Sequence, residues 1–229
     1  MAALLPLTSR IARLAVANPT GSNIYVVREE GGFTLVDPGP VGTAARILAL
    51  DRGGVLRLAR VVLTHAHPAH AGATARVVRG TGVPAFVHPD DARFLDGRAA
   101  PLLPSGMRGR IAAALGRVVN LQPALFRVAL LVPGEPIGDL LPIATPGHTP
   151  GHVCLLHRGD RALLTGDAIL FDGRRCRLPH PSRAHDPAAA RAALRPLLAH
   201  DFDALLPGHG PPLLSGARAA VERLVAALG

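Results

Sequence analysis

The sequence predicts an α/β fold in which two sheets are each half closed by helices. Three observations carry that expectation. A β-meander opens the chain, a second group of short β-type runs fills its later half, and stretches of helical length stand between and after them.

Residues 11–16 and 24–28 read as strands, Glu29-Glu30-Gly31-Gly32 as a hairpin turn, and 33–37 as the returning strand. The stretch 41–49 suits a helix lying on that sheet, and the apolar run 58–63 is a buried strand. Residues 71–79 have the length of a helix, which Gly80 and Gly82 end. A short strand at 85–87 leads into Pro89, Asp90 and Asp91, which open another helix. Between 107 and 118 arginine alternates with apolar residues at helical spacing, an amphipathic helix whose position suits a pocket wall. The runs 127–132, 140–144, 153–157 and 162–165, spaced by turns, indicate the second sheet. Asp186-Pro187 opens a helix expected to run to 199, 204–206 is a strand, and Ser215 is positioned to cap a terminal helix to 228. No Ser- or Gly-rich linker divides the 229 residues, so a single domain over 1–229 is expected.

Composition narrows the function. The hydrophobic content of 48% is mainly Ala, Leu and Val, with aromatics at 3%, which describes an aliphatic globular core. Although the formal charge is +9 and every basic residue is Arg, the arginines are scattered and no basic run appears. Nucleic acid is therefore not the expected partner, and a small-molecule substrate is. No apolar run approaches the roughly 18 to 20 residues of a membrane-spanning helix. The first residues faintly imitate a signal sequence, but Arg10 and Arg13 interrupt the apolar run and no basic residue precedes it, so a cytoplasmic location is expected. Cys154 and Cys176 lack the spacing of a disulfide framework or of a zinc motif; Cys154 reads as a small core residue, and Cys176 as an inert thiol in the loop region after Asp167.

Thr64-His65-Ala66-His67-Pro68-Ala69-His70 crowds three histidines into six positions directly after an apolar run. Neutral imidazoles at i and i+2 on a tight loop can point at one ion. Three later segments repeat the theme of a His or Asp beside Gly or Pro after an apolar run. They are Thr145-Pro146-Gly147-His148-Thr149-Pro150-Gly151-His152, Leu164-Thr165-Gly166-Asp167 and Pro207-Gly208-His209-Gly210. Loops of this kind gather ligands at one edge of a sheet.

With these four segments in order, the chain resembles the metallo-β-lactamase superfamily over nearly its whole length. The family's first motif is written HxHxDH, matched here by His65, His67 and His70. His148 matches the next ligand, Asp167 the carboxylate that bridges two metals, and His209 the last ligand. Val36-Asp37-Pro38-Gly39 resembles the turn that precedes the first motif, and Ser22-Asn23-Ile24-Tyr25 an upstream strand. The resemblance implies a four-layer αβ/βα sandwich. It also implies a first metal held by His65, His67, His148 and Asp167, and a second held by His70, His209 and the shared Asp167, which is also the expected catalytic residue.

Ala69 stands where the family has the motif aspartate, a ligand of the second metal. A methyl group removes one ligand and one negative charge, so the second ion should bind more weakly. Natural divergence, loss of catalysis, and an introduced substitution are all open as its origin. The expected cofactor is zinc, one or two ions, with iron or manganese as alternatives. The implied activity is hydrolysis of an ester, thioester or lactone by a metal-bound hydroxide. Its rivals are a mononuclear iron oxygenase resembling the persulfide dioxygenases, and a catalytically impaired metal-binding protein. His152 is expected to support the ligands rather than join them. His88 is expected to be structural, and Asp172, His180 and Arg183 are residues that could approach the pocket.

Overall fold

The computed structural model describes residues 4–96 and 128–229; the expected amphipathic helix at 107–118 lies outside them. The first sheet contains β1 (Leu4–Pro6), β2 (Ile11–Leu14), β3 (Tyr25–Glu29), β4 (Gly32–Val36), β5 (Leu58–Val62), β6 (Ala85–Val87) and β7 (Val128–Leu130), in that spatial order. Pairing is antiparallel from β1 to β4 and parallel from β4 to β7. The second sheet is built from β8 (Leu140–Ala144), β9 (Val153–His157), β10 (Ala162–Gly166) and β13 (Ala204–Pro207), ordered β13-β10-β9-β8. A small hairpin of β11 (Leu170–Phe171) and β12 (Cys176–Arg177) stands beside it.

Strand alternation divides the apolar side chains into three cores, because successive residues of a strand face opposite sides of its sheet. In β3, Val26 enters the core beneath the helices while Tyr25 and Val27 face the other sheet; in β5, Val61 and Val62 divide in the same way. Across the seam, Val153 and Leu155 of β9 meet them, while Cys154 and Leu156 turn outward into the third core. The first outer layer is α1 (Ala44–Arg52), α2 (Pro68–Ala71), α3 (Thr74–Thr81) and α4 (Pro89–Leu95). The other is α5 (Pro187–Ala192), a 3-10 turn (Arg195–Ala199) and α6 (Ala217–Leu228). This is the expected αβ/βα sandwich. Among the described residues no helix is long and apolar enough to cross a membrane.

Several local expectations change. The helix expected to run from 187 to 199 breaks after Ala192 and resumes as a 3-10 turn. Pro196 explains the break, since it has no N–H to give and its ring crowds the carbonyl four residues earlier. Ser215 does not cap the terminal helix: the cap is Gly216, in the left-handed region at φ +70°. Asp203, thirteen residues earlier, takes over by accepting the Gly216 N–H on Oδ1 at 2.8 Å and the Ala217 N–H on its carbonyl at 2.9 Å. His70 lies inside α2, which starts at Pro68, rather than ahead of the helix. Cys176 is buried in the outer core of the second sheet.

Candidate metal centre

Every candidate ligand follows the C-terminal end of a strand. His65 and His67 follow β5, His70 lies in the short helix beyond them, His148 follows β8, Asp167 follows β10 and His209 follows β13. The first three belong to the first sheet and the last three to the second, so the cluster bridges the edge of the sandwich. One donor atom from each of His65, His67, His148 and Asp167 lies within 4.8 Å of the others, and His70, Asp167 and His209 form a second such group.

The rings of His65, His67 and His148 stand nearly perpendicular to one another, with interplanar angles of 85° to 88° and centroids 4.7 to 4.9 Å apart. His148 Nε2 lies 2.9 Å from His67 Nδ1 and 3.4 Å from Asp167 Oδ2. On the other side, His70 Nε2 lies 3.5 Å from Asp167 Oδ1 and 3.2 Å from His209 Nε2. An ion with tetrahedral bonds near 2.0–2.1 Å separates its ligands by about 3.3 Å, so these spacings suit donors around an ion.

Hydrogen bonding explains which nitrogens are free to ligate. The Asp37 carboxylate accepts the Thr64 hydroxyl at 2.7 Å and the Thr64 N–H at 2.8 Å. With its proton given to Asp37, Thr64 Oγ1 can only accept from His65 Nδ1, 3.0 Å away. The His65 proton therefore sits on Nδ1, and Nε2 keeps its lone pair. That buried Nε2 has no hydrogen-bond partner among the described residues, and the same is true of Asp167 Oδ1. An orphaned buried acceptor is costly unless a cation satisfies it. Asp37 also faces His70 Nδ1 at 3.2 Å, so one carboxylate orients ligands of both groups. Asp37 adopts φ +50°, a sparsely populated conformation that aims its side chain across the loop.

Burial, and then the neighbouring imidazoles, hold His65 well below the usual histidine range. Burial also takes His67 and His148 down to about 3, against the attraction of Asp167. For His70 burial acts in the same sense, but Asp167 and then Asp37 outweigh it and take the ring up to about 10. Burial opposes the charge on Asp167, whose carboxyl the surrounding histidines, His70 foremost, nevertheless hold far below the usual carboxylate range.

The supporting shell is extensive. His152 Nε2 accepts the Asp167 N–H at 3.2 Å, so its Nδ1 carries the proton and donates to Thr145 Oγ1 at 2.8 Å. This is the supporting position expected from the sequence. Gly166 and Gly208 let the loops close, because a Cβ on Gly166 would lie 2.6 Å from Thr64 Oγ1 and one on Gly208 would lie 2.6 Å from Asp167 Oδ1. Asn23 donates through Nδ2 to the carbonyls of Pro207 at 2.9 Å and Gly210 at 2.8 Å, while Tyr25 donates to Pro207 at 2.8 Å. The upstream strand thus clasps the His209 loop.

From the sequence Asp91 reads only as one of the acids that open a helix, not as a support of the site. Fully buried, it accepts from Ala66 N at 2.8 Å, Thr149 Oγ1 at 2.8 Å and Gly151 N at 2.7 Å, and so staples the His65–His67 loop to the His148 loop. Only its place near a helix start was visible locally. His88 caps that helix, accepting the Asp90 N–H at 3.2 Å. His180 lines the cavity beside His148 and Asp167, and Asp172 pairs with Arg175 and Arg177.

A two-sheet sandwich carrying a His/Asp cluster at the shared edge of its sheets defines a metal-binding α/β protein. The chain belongs to the metallo-β-lactamase superfamily, whose family model matches residues 17–209. Among curated relatives, the Bacillus subtilis (strain 168) protein described as probable metallo-hydrolase YflN is 28% identical, covering 84% of this chain and 81% of that one. A hydroxyacylglutathione hydrolase of Anaeromyxobacter dehalogenans (strain 2CP-C) is 34% identical over 65% of this chain, which spans about half, 46%, of its length. Among solved structures, TTHA1623 in a di-iron-bound form superposes with a TM-score of 0.68 at 28% identity, covering 92% of this chain and 94% of that one.

Proposed function

We propose that the chain is a metal-dependent hydrolase of esters, thioesters or lactones. The observation that carries this reading is the four-donor set of His65, His67, His148 and Asp167, of which His148 and Asp167 also line an open cavity. The relatives described as a metallo-hydrolase and a hydroxyacylglutathione hydrolase support it.

A divalent ion held there supplies Lewis acidity and lowers the pKa of a bound water to about 7. The chain's own residues set the conditions. His65, His67 and His148 stay neutral at neutral pH and so offer lone pairs, while Asp167 brings the negative charge that balances the ion. In the overall reaction a water oxygen bonds to the acyl carbon, the C–O or C–S bond to the leaving group breaks, and that group departs with a proton. Asp167, at the cavity wall and shared by both donor groups, is the residue we assign to orient the water, its carboxylate accepting a hydrogen bond while staying ionised.

The second group has three donors, His70, Asp167 and His209, with Ala69 where a further carboxylate would stand. One tightly held ion and a weaker second follow. This favours a second reading, a mononuclear iron oxygenase; the di-iron-bound neighbour supports iron as a candidate metal, with two ions rather than one. Zinc, iron and manganese are the candidate ions. The deciding experiment combines elemental analysis of purified protein with turnover on ester, thioester and lactone panels, followed by oxygen uptake. Turnover in the metal-loaded protein, abolished by chelation, is the expected result. Iron content with oxygen consumption and no hydrolysis would replace the first reading with the second.

A further inference from the structure

The cavity that opens beside His148 and Asp167 is about 380 Å³, at the small end of ligand pockets. Its walls are apolar over Leu178, Pro179 and Pro181, yet Arg177 and Arg191 line it too. Among the described lining residues Asp167 is the sole carboxylate, and a divalent ion more than offsets it. The arginines are poorly neutralised. Arg177 shares Asp172, 3.8 Å away, with Arg175, and Arg191 has no carboxylate within ion-pair distance among the described residues. Arg183, exposed on the adjoining 3-10 turn (Pro181–Arg183), is near enough for its charge to reinforce the downward pull that burial exerts on His67 and His209.

From this we infer that the cavity selects small acyl compounds carrying a second anionic group, with Arg177 and Arg191 as the specificity-determining residues. The inference rests on the hydrolase reading, since it takes the acyl group to lie at His148 and Asp167 and the second anion to lie at the arginines. Guanidinium forks match a carboxylate bidentately, and the apolar wall accommodates a short methylene chain between the two ends.

Calorimetric titration of the zinc-loaded protein with glutarate and with pentanoate tests it, because the two acids share a five-carbon chain and differ only in the second carboxylate. Glutarate should bind about tenfold more tightly, and the preference should shrink as salt is raised. The double variant Arg177→Gln/Arg191→Gln should lose the preference while keeping its affinity for pentanoate. Equal affinities in the wild-type protein, or a preference unchanged in the double variant, would overturn the inference. Binding is read without turnover, so the two readings fail separately. Anion preference with no hydrolysis leaves the arginine subsite standing and removes the hydrolase; hydrolysis of neutral and anionic esters with no preference does the reverse.

Discussion

The Thr64 hydroxyl donates to Asp37 at 2.7 Å, and that bond decides the tautomer of the neighbouring His65. Replacing Asp37 by Asn puts an amide where a carboxylate accepts from Thr64 and faces His70. Metal affinity should fall about 10- to 100-fold with little loss of fold, measurable by competition with a chromophoric chelator. An unchanged affinity would mean that the ligand tautomers are fixed elsewhere.

Gly208→Ala should abolish metal binding. Its Cβ would stand 2.6 Å from Asp167 Oδ1 and 2.7 Å from His70 Cε1, displacing two ligands at once. Elemental analysis of the dialysed variant would show the loss, while circular dichroism keeps the sandwich signature.

Asp91→Ala strands three buried donors: the Ala66 and Gly151 amides and the Thr149 hydroxyl. The cost should be about 2–4 kcal/mol in urea denaturation. Metal affinity should fall as well, since the two loops that carry His65, His67 and His148 lose their common anchor.

Ion retention should depend on pH in a defined sense. His67 and His148 are lowered to about 3, so above that value they are neutral and able to ligate, and protons compete only as the pH approaches it. Occupancy of the His65, His67, His148 and Asp167 group, measured after equilibrium dialysis at one equivalent of metal, should stay flat from about pH 8 to about pH 5 and fall in stronger acid. A loss centred near the ordinary histidine value would contradict the burial that drives the shift.

Ala69→Asp should raise the tightly bound metal from about one ion to about two per chain, because a fourth donor joins His70, Asp167 and His209. Native mass spectrometry counts the ions directly.

The strands were legible in the sequence because period-two alternation and turn residues are local signals, as at Tyr25, Val26 and Val27. The residues now gathered near one another were legible for a different reason: the first three histidines crowd into six positions after an apolar run, and His148, Asp167 and His209 each sit beside Gly just past a strand. What stayed hidden depends on contacts across long separations. Asp203 serves as the cap that Ser215 was expected to be, and Asp91 joins loops around positions 66 and 150, relations that no short window of sequence displays. Pro68 did mark the start of α2, and the His70 helix could have been read from it.

The candidate ligands are divided evenly: His65, His67 and His70 arrive on the loop and short helix that follow β5 of the first sheet, and His148, Asp167 and His209 on loops of the second. Neither half of the polypeptide supplies all the donors of the His65, His67, His148 and Asp167 group or of the His70, Asp167 and His209 group. Full coordination at either of those groups during refolding therefore waits until both halves have docked, and a probe sensitive to that coordination would report the completion of assembly rather than its beginning.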